Sequence, residues 1–214
     1  MTDAVFLSAS VPDARRFPEY ARTADAVAIS AAVNALLHAT LGRRLLIWGG
    51  HPAITPMIWT MADSMKLEYR EWVKLYQSLH FKDRFPEDNA RFENVVYTEP
   101  RGDEGDSLLE MRTRMFKDNG FEAGVFIGGM KGIINEFHLF REFQPKARLV
   151  PVVSTGGAVL ELARFAEPDL AQDFDYVALF HRHLGIQPAE RRYRTPREQP
   201  SDIRDRLDTQ WRSL

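Results

Sequence analysis

The 214-residue chain carries 28 lysines and arginines against 30 aspartates and glutamates, and its formal net charge is −2. This balance gives no global positive field for nucleic acid or an anionic membrane, and the lack of cysteine excludes disulfides, thiolate metal sites and a cysteine nucleophile. The chain opens without a secretory pattern and has no apolar run near the roughly 20 residues of a membrane span. We therefore expect a cytoplasmic protein with neither a membrane nor a nucleic acid as partner.

Apolar strands and helices alternate from the beginning of the chain. Strands are predicted at residues 4–10 and 44–48, with an alanine-rich helix at 24–40 between them. Thr55 is expected to be the N-cap of the next helix, with Pro56 at its first helical position. The remaining predicted elements are a strand at 72–81, a strand at 94–98, a helix at 103–119, a strand from 124 into the glycines at 128–129, a helix from 131, a strand at 148–153, and helices at 158–166, 176–184 and 202–211.

This alternation predicts a Rossmann-like α/β fold, an open parallel sheet flanked by helices on both faces. We expect one nucleotide-binding domain over residues 1–186. Residues 187–214 are polar, rich in arginine and interrupted by proline. They are predicted to form a solvated or oligomer-contacting arm, or a short helix.

Four predicted strands end in turns made of small or glycine residues. The C-terminal ends of parallel strands meet at one edge of a sheet, where ligands bind. Glycine lets the main chain approach a phosphate closely, and a helix N-terminus after such a turn attracts anions. The sequence therefore predicts a site for a phosphate-bearing nucleotide, with these candidate ligand-binding residues: Ser8, Ser10, Arg15, Gly49, Gly50, His51, Gly128, Gly129, Met130, Lys131, Gly132, Thr155, Gly156 and Gly157.

Metals and cofactors are not expected. The histidines His138, His181 and His183 do not combine with carboxylates at ligand spacing in the sequence. No metal site is therefore predicted, and no cofactor beyond the nucleotide-type ligand itself.

Three of these motifs, read in order, resemble the SLOG superfamily, the Rossmann-like group that includes lonely-guy phosphoribohydrolases, DprA DNA-processing proteins and the nucleotide-sensing domains of TRPM channels. The motifs are residues 6–10, residues 48–54, and residues 127–132 followed by Glu136 and Phe137. The likeness spans roughly residues 4–162 and is greatest to the bacterial conflict-system branch. It implies a sensor or sequestering protein for ADP-ribose or cyclic ADP-ribose-like signals, in a stress or antiphage context. It also implies a homodimer or homotetramer and a separate effector protein.

The hydrolase members of that superfamily carry a Pro-Gly-Gly-x-Gly-Thr-x-x-Glu pattern whose glutamate helps to cleave an N-glycosidic bond. Here Ile127 and Ile133 take the proline and threonine positions, and Glu136 comes one residue later than the hydrolase glutamate. One helical residue is a rotation of about 100°, so the carboxylate is expected to move off its target. The pattern favours a binder over an enzyme. The alternative is a phosphoribohydrolase or N-glycosidase with Glu136 as its catalytic acid.

Overall fold

The computed structural model describes residues 4–65, 68–85 and 87–207. Its centre is a sheet of β1 (Ala4–Ser10), β2 (Leu45–Trp48), β3 (Val73–Ser78), β4 (Val95–Thr98), β5 (Ala123–Gly128) and β6 (Arg148–Val152). The strand order is β4-β3-β2-β1-β5-β6, and every neighbouring pair is parallel. The predicted open parallel sheet is confirmed.

Helices cover both faces of the sheet, as predicted. They are α1 (Pro18–Ala21), α2 (Ala26–Thr40), α3 (Thr55–Ser64), α4 (Tyr69–Trp72), α5 (Glu104–Lys117), α6 (Lys131–Phe143), α7 (Pro168–Gln172) and α8 (Tyr176–Leu184). Side chains of α2, α3 and α8 form one hydrophobic core with the sheet, and those of α5 and α6 form the other. Within the described ranges, no helix combines the length and the apolar character needed to cross a bilayer.

Aspartate caps fix where three of these helices begin. The carboxylate of Asp25 accepts hydrogen bonds from the backbone amides of Val27 and Ala28 at the start of α2. Asp103 and Asp175 cap α5 and α8 in the same way. Each cap satisfies backbone amides that have no partner within the helix.

The predicted helix at 158–166 is instead a 3-10 segment, Gly157–Phe165. Val159 and Leu162 are buried and Phe165 packs against the same core. These three apolar side chains are spaced by three residues, and three residues per turn place them on one face of a 3-10 helix. Tertiary packing therefore selects the tighter helix.

Two other boundaries differ from the prediction. Thr55 is the first residue of α3 and not its N-cap, since its buried hydroxyl donates to the carbonyl of His51 at 3.0 Å. The strand predicted at 72–81 is shorter, because Trp72 ends α4 and Leu79–Arg84 forms a 3-10 segment. The indole of Trp72 donates to the carbonyl of Tyr193, which fixes it beneath the C-terminal segment.

Parts of the described C-terminal arm pack on the domain, so the arm is not solvated along its whole described length. Glu190 is 2% exposed, and its carboxylate binds the guanidinium of Arg44 at 2.5 Å and 3.2 Å. Burial alone would lower the pKa of Arg44, but the ion pairs with Glu190 and Glu122 raise it. Because Arg44 directly precedes β2, the arm lies at the N-terminal edge of the sheet.

The terminal helix predicted at 202–211 is a short 3-10 segment, Ile203–Arg206. The rest of that predicted helix, from residue 208, lies outside the described residues. The proposed division of the chain between residues 186 and 187 stays a prediction.

Candidate functional site

A cleft opens at the opposite edge of the sheet, over the C-terminal ends of β1, β2, β3 and β5. It has two adjoining compartments, which share Gly49, Gly50, His51, Leu108, Met111 and Met130. The inner compartment has a cavity volume of about 170 Å³ and lies between the ends of β1 and β2 and the helices α5 and α6. The outer compartment has a cavity volume of about 370 Å³ and extends past the end of β3.

An ion pair held by a serine forms the polar wall of the inner compartment. Glu136 of α6 accepts a hydrogen bond from the Ser8 hydroxyl at 2.5 Å and one from Arg112 Nε at 2.9 Å. The Arg112 and Glu136 side chains are only 12% and 16% exposed. Each carboxylate oxygen is engaged by one donor and keeps a second lone pair. A ligand hydroxyl in the compartment therefore meets a fixed, charged acceptor.

The outer compartment combines aromatic and cationic side chains. Arg84 lies over the ring of Phe81 at 5.5 Å, and Arg16 lies over Phe17 at 5.4 Å. All four residues line the compartment, together with Phe85, Glu104, Gln77 and Ser78. Two guanidinium groups against one carboxylate give this wall a positive balance, and guanidinium suits phosphate.

His51 stands between the two compartments. Its Nδ1 accepts a hydrogen bond from the backbone amide of Ala53 at 3.2 Å. In the neutral ring this bond places the remaining proton on Nε2, so that Nε2 is a donor. Burial lowers the pKa of His51, and the charge of Glu136 opposes that shift only in part.

We expect the His51 ring to be neutral at pH 7 and to titrate below about 6.5, the value of an unperturbed histidine. The unfolded chain then takes up this proton first as the pH falls, so His51 lowers the stability of the fold progressively below about pH 6.5. An NMR titration of the histidine rings, with His51→Asn to assign the resonance, measures the value. A His51 midpoint above 6.5 would contradict the burial argument.

The structure brings eight of the sequence-predicted residues together on the inner compartment. Glu136 is among them, although its shifted motif position predicted a displaced carboxylate. The Ser8 and Arg112 contacts hold the carboxylate against the compartment, whereas its displacement from the hydrolase target stays a prediction. The eight are Ser8, Ser10, Gly49, Gly50, His51, Met130, Gly132 and Glu136.

Glycines of the central motif and of the turn after β6 have internal partners instead. The amide of Gly128 donates to Thr155 Oγ1 at 2.9 Å, and the amide of Gly129 donates to the Ser10 carbonyl at 2.8 Å. The two compartments described are not lined by Gly128, Gly129, Thr155, Gly156 or Gly157. The predicted contact of these backbone amides with phosphate is therefore not supported by the geometry.

The predicted cations are also placed differently. Lys131 is exposed at the start of α6, and Arg15 is exposed in the loop after β1. Neither lines the compartments, whereas the neighbouring Arg16 does. The sequence predicted a basic loop, but only the path of the backbone selects which arginine faces the cleft.

Sequence reasoning missed Arg112 and Gln77. Arg112 lies on the amphipathic helix α5, where an arginine is typical of the solvent face. Gln77 had a usable signal, since it is an uncharged polar residue within a buried strand.

A cluster of possible metal ligands lies outside the cleft, on and beside α7 and α8. Single ligand atoms of Glu167, Asp169 and His183 lie within 4.8 Å of one another. The spacing of the histidines in the sequence did not indicate this contact, in which the His183 ring lies 2.9 Å from Asp169. Burial of Asp169 opposes ionisation, but His183 and Arg182 outweigh it and lower the Asp169 pKa. Asp169 also forms an ion pair with Arg182.

Comparison with known families supplies the affiliation. The sequence model of the SLOG cluster3 family matches residues 19–184, well over half of the chain. The chain belongs to the SLOG cluster3 family. A search of curated proteins finds no match.

Membership indicates nucleotide-related binding or processing. The family match includes α5, α6 and the ends of β2 and β3, and therefore most of the walls of the cleft. The family match begins after β1, so Ser8 and Ser10 lie outside the matched range although they line the cleft. It ends at residue 184, before the C-terminal arm.

Proposed function

We propose that the cleft binds a nucleotide-derived signal, either ADP-ribose or a cyclic ADP-ribose-like molecule. The protein then acts as a sensor of this signal or sequesters it. The observation that carries this proposal is the carboxylate of Glu136, fixed by Ser8 and Arg112 at the end of β1. A carboxylate held in this way accepts hydrogen bonds from the hydroxyls of a ribose, and such charge-assisted bonds are strong.

The outer compartment favours a ligand that is larger than a nucleoside. Its guanidinium groups, from Arg16 and Arg84, suit a pyrophosphate, and its rings, from Phe17, Phe81 and Phe85, suit a nucleobase. A molecule with a ribose at one end and a base at the other, joined by phosphates, would occupy both compartments. AMP alone would leave one compartment partly empty.

Calorimetric titration with ADP-ribose, its cyclic isomers, NAD and AMP tests the proposal, with chromatography of each ligand after an hour of incubation. We expect ADP-ribose-like molecules to bind and to remain intact. Glu136→Gln is expected to weaken binding about tenfold or more, since a charge-assisted bond contributes about 1.5–3 kcal/mol. The matched control is Glu142→Gln, an exposed glutamate on the same helix, which should bind as the wild type does.

The result that contradicts the proposal is equally definite. If none of these ligands binds the wild type, or if Glu136→Gln and Glu142→Gln bind alike, Glu136 does not hold a ribose. A role in antiphage defence, a homodimer or tetramer and a separate effector remain proposals from the resemblance.

An N-glycosidase is the second candidate, because Glu136 reaches the cleft despite its shifted position in the motif. In that case free base appears during incubation with the wild type and with Glu142→Gln, but not with Glu136→Gln. Stable binding without release of base supports the sensor or sequestering role instead.

A further inference from the structure

Gln77 is a buried polar side chain near the C-terminal end of β3, the second strand from one edge of the sheet. It is 8% exposed, while its strand neighbours Leu75 and Tyr76 are fully buried. It lines the outer compartment of the cleft. Within residues 4–65, 68–85 and 87–207, its side-chain amide has no hydrogen-bond partner. The amide atoms are not sealed inside the protein but open into the compartment, so a ligand there can pair with them.

The backbone at Gly50 leaves room for this amide. A Cβ atom built on Gly50 would lie 2.0 Å from Gln77 Nε2, so any larger residue would displace the amide. Gly50 also has a φ of +79°, which other residues rarely adopt. Because Gly50 lines both compartments, the Gln77 amide lies where they join.

A primary amide offers one acceptor and one donor side by side. Adenine offers the complementary pair, the N6 amino group and the N7 acceptor, and glutamine binds this edge through two hydrogen bonds. Phe81 and Phe85, which line the same compartment, supply rings against which a base can stack.

We propose that Gln77 recognises the adenine edge of the nucleotide and so determines the base specificity of the cleft. This inference rests on the proposed function and names the base that the site takes. It also assigns the outer compartment to the base and leaves the Glu136 wall to a ribose.

The test compares ADP-ribose with an analogue whose purine lacks the 6-amino group, titrated into the wild type and into Gln77→Met. Methionine keeps the length of the side chain but has neither a donor nor a strong acceptor. We expect the wild type to bind ADP-ribose about tenfold more tightly than the analogue. In Gln77→Met, ADP-ribose affinity falls about tenfold and the preference between the two ligands disappears.

A thermal unfolding midpoint separates recognition from a structural role. Gln77→Met replaces an unpartnered amide by an apolar group, so its midpoint should equal or exceed that of the wild type. The matched control, Gln172→Met, changes an exposed glutamine of α7 and should leave both affinities unchanged.

Three outcomes overturn the inference, and they differ from one another. If the wild type binds neither ligand, the proposed function fails and the inference fails with it. If Glu136→Gln weakens ADP-ribose binding but Gln77→Met does not, the proposed function stands and the assignment of Gln77 is wrong. A lowered midpoint in Gln77→Met with an unchanged preference for ADP-ribose would show that Gln77 is structural.

Discussion

Replacing Glu190 by alanine is expected to lower the free energy of unfolding by about 3–5 kcal/mol, the usual cost of removing one partner of a buried ion pair. Glu190 and Arg44 are each 2% exposed, and Arg206, which lies 3.8 Å from Glu190, is 4% exposed. Without the carboxylate, two guanidinium groups stay buried with less compensating charge. Urea denaturation of the full chain, followed by tryptophan fluorescence, measures the loss.

Glu142→Ala is the control for this experiment, because that glutamate is exposed on α6 and its removal should change stability by no more than about 0.5 kcal/mol. The double variant Arg44→Ala/Glu190→Ala should cost less than the sum of the two single variants, since both remove the same contact. A loss below about 1 kcal/mol for Glu190→Ala would mean that the C-terminal arm contributes little to the domain.

Gly156→Ala is expected to destabilise the protein by about 3 kcal/mol through backbone strain and a steric clash. Gly156 has a φ of 67° and a ψ of −163°, a conformation that is nearly exclusive to glycine. A Cβ there would lie 1.9 Å from the carbonyl oxygen of Thr23. This oxygen belongs to the main chain, so it cannot rotate away as the end of a side chain could. The same denaturation experiment measures this change.

Gly120→Ala is the matched control, because a Cβ at Gly120 would meet no atom within 4 Å. Its stability should stay within about 0.5 kcal/mol of the wild type. The pair of variants also separates two roles for the turn after β6. If Gly156→Ala is as stable as the wild type but has lost ADP-ribose binding, the sequence-based assignment of this turn to the ligand is right and the structural role is wrong.

The order and type of the main elements follow from local patterns. A parallel strand buried on both faces needs an unbroken apolar run, and β1 and β5 have such runs. Capping residues such as Asp103 and the glycine after α8 likewise act within a few residues of their own position. Such signals can be read without knowledge of the fold.

The predicted boundaries of strands and helices are wrong where a contact with a distant residue decides the local conformation. The indole of Trp72 donates to the carbonyl of Tyr193, 121 residues later, and β3 begins only after it. The 3-10 segment after β6 is held by a hydrogen bond from the amide of Ala158 to the Gly129 carbonyl. No pattern within a short window reports either contact.

The position of the cleft was predicted from the strand ends alone, but its chemistry was not. Gly49, Gly50 and His51 lie there because they directly follow β2, and the C-terminal ends of parallel strands lie at the same edge of the sheet. Arg112 on α5 and Glu136 on α6 are 24 residues apart in the sequence, and only the packing of the two helices brings them into contact.

The sequence by itself determined the class of fold, the family and the edge of the sheet at which the cleft opens, because periodicity, turn chemistry and motif order are local properties of the chain. Only the tertiary structure decided which glycines line the cleft and which hold neighbouring turns together, because that depends on where each backbone amide finds its partner. It also decided that Glu136 faces the cleft, that Gln77 has no side-chain hydrogen bond to another described residue, and that Glu190 anchors the C-terminal arm. Each of these depends on residues that are far apart in the sequence and are brought into contact by the packing of the sheet and its helices.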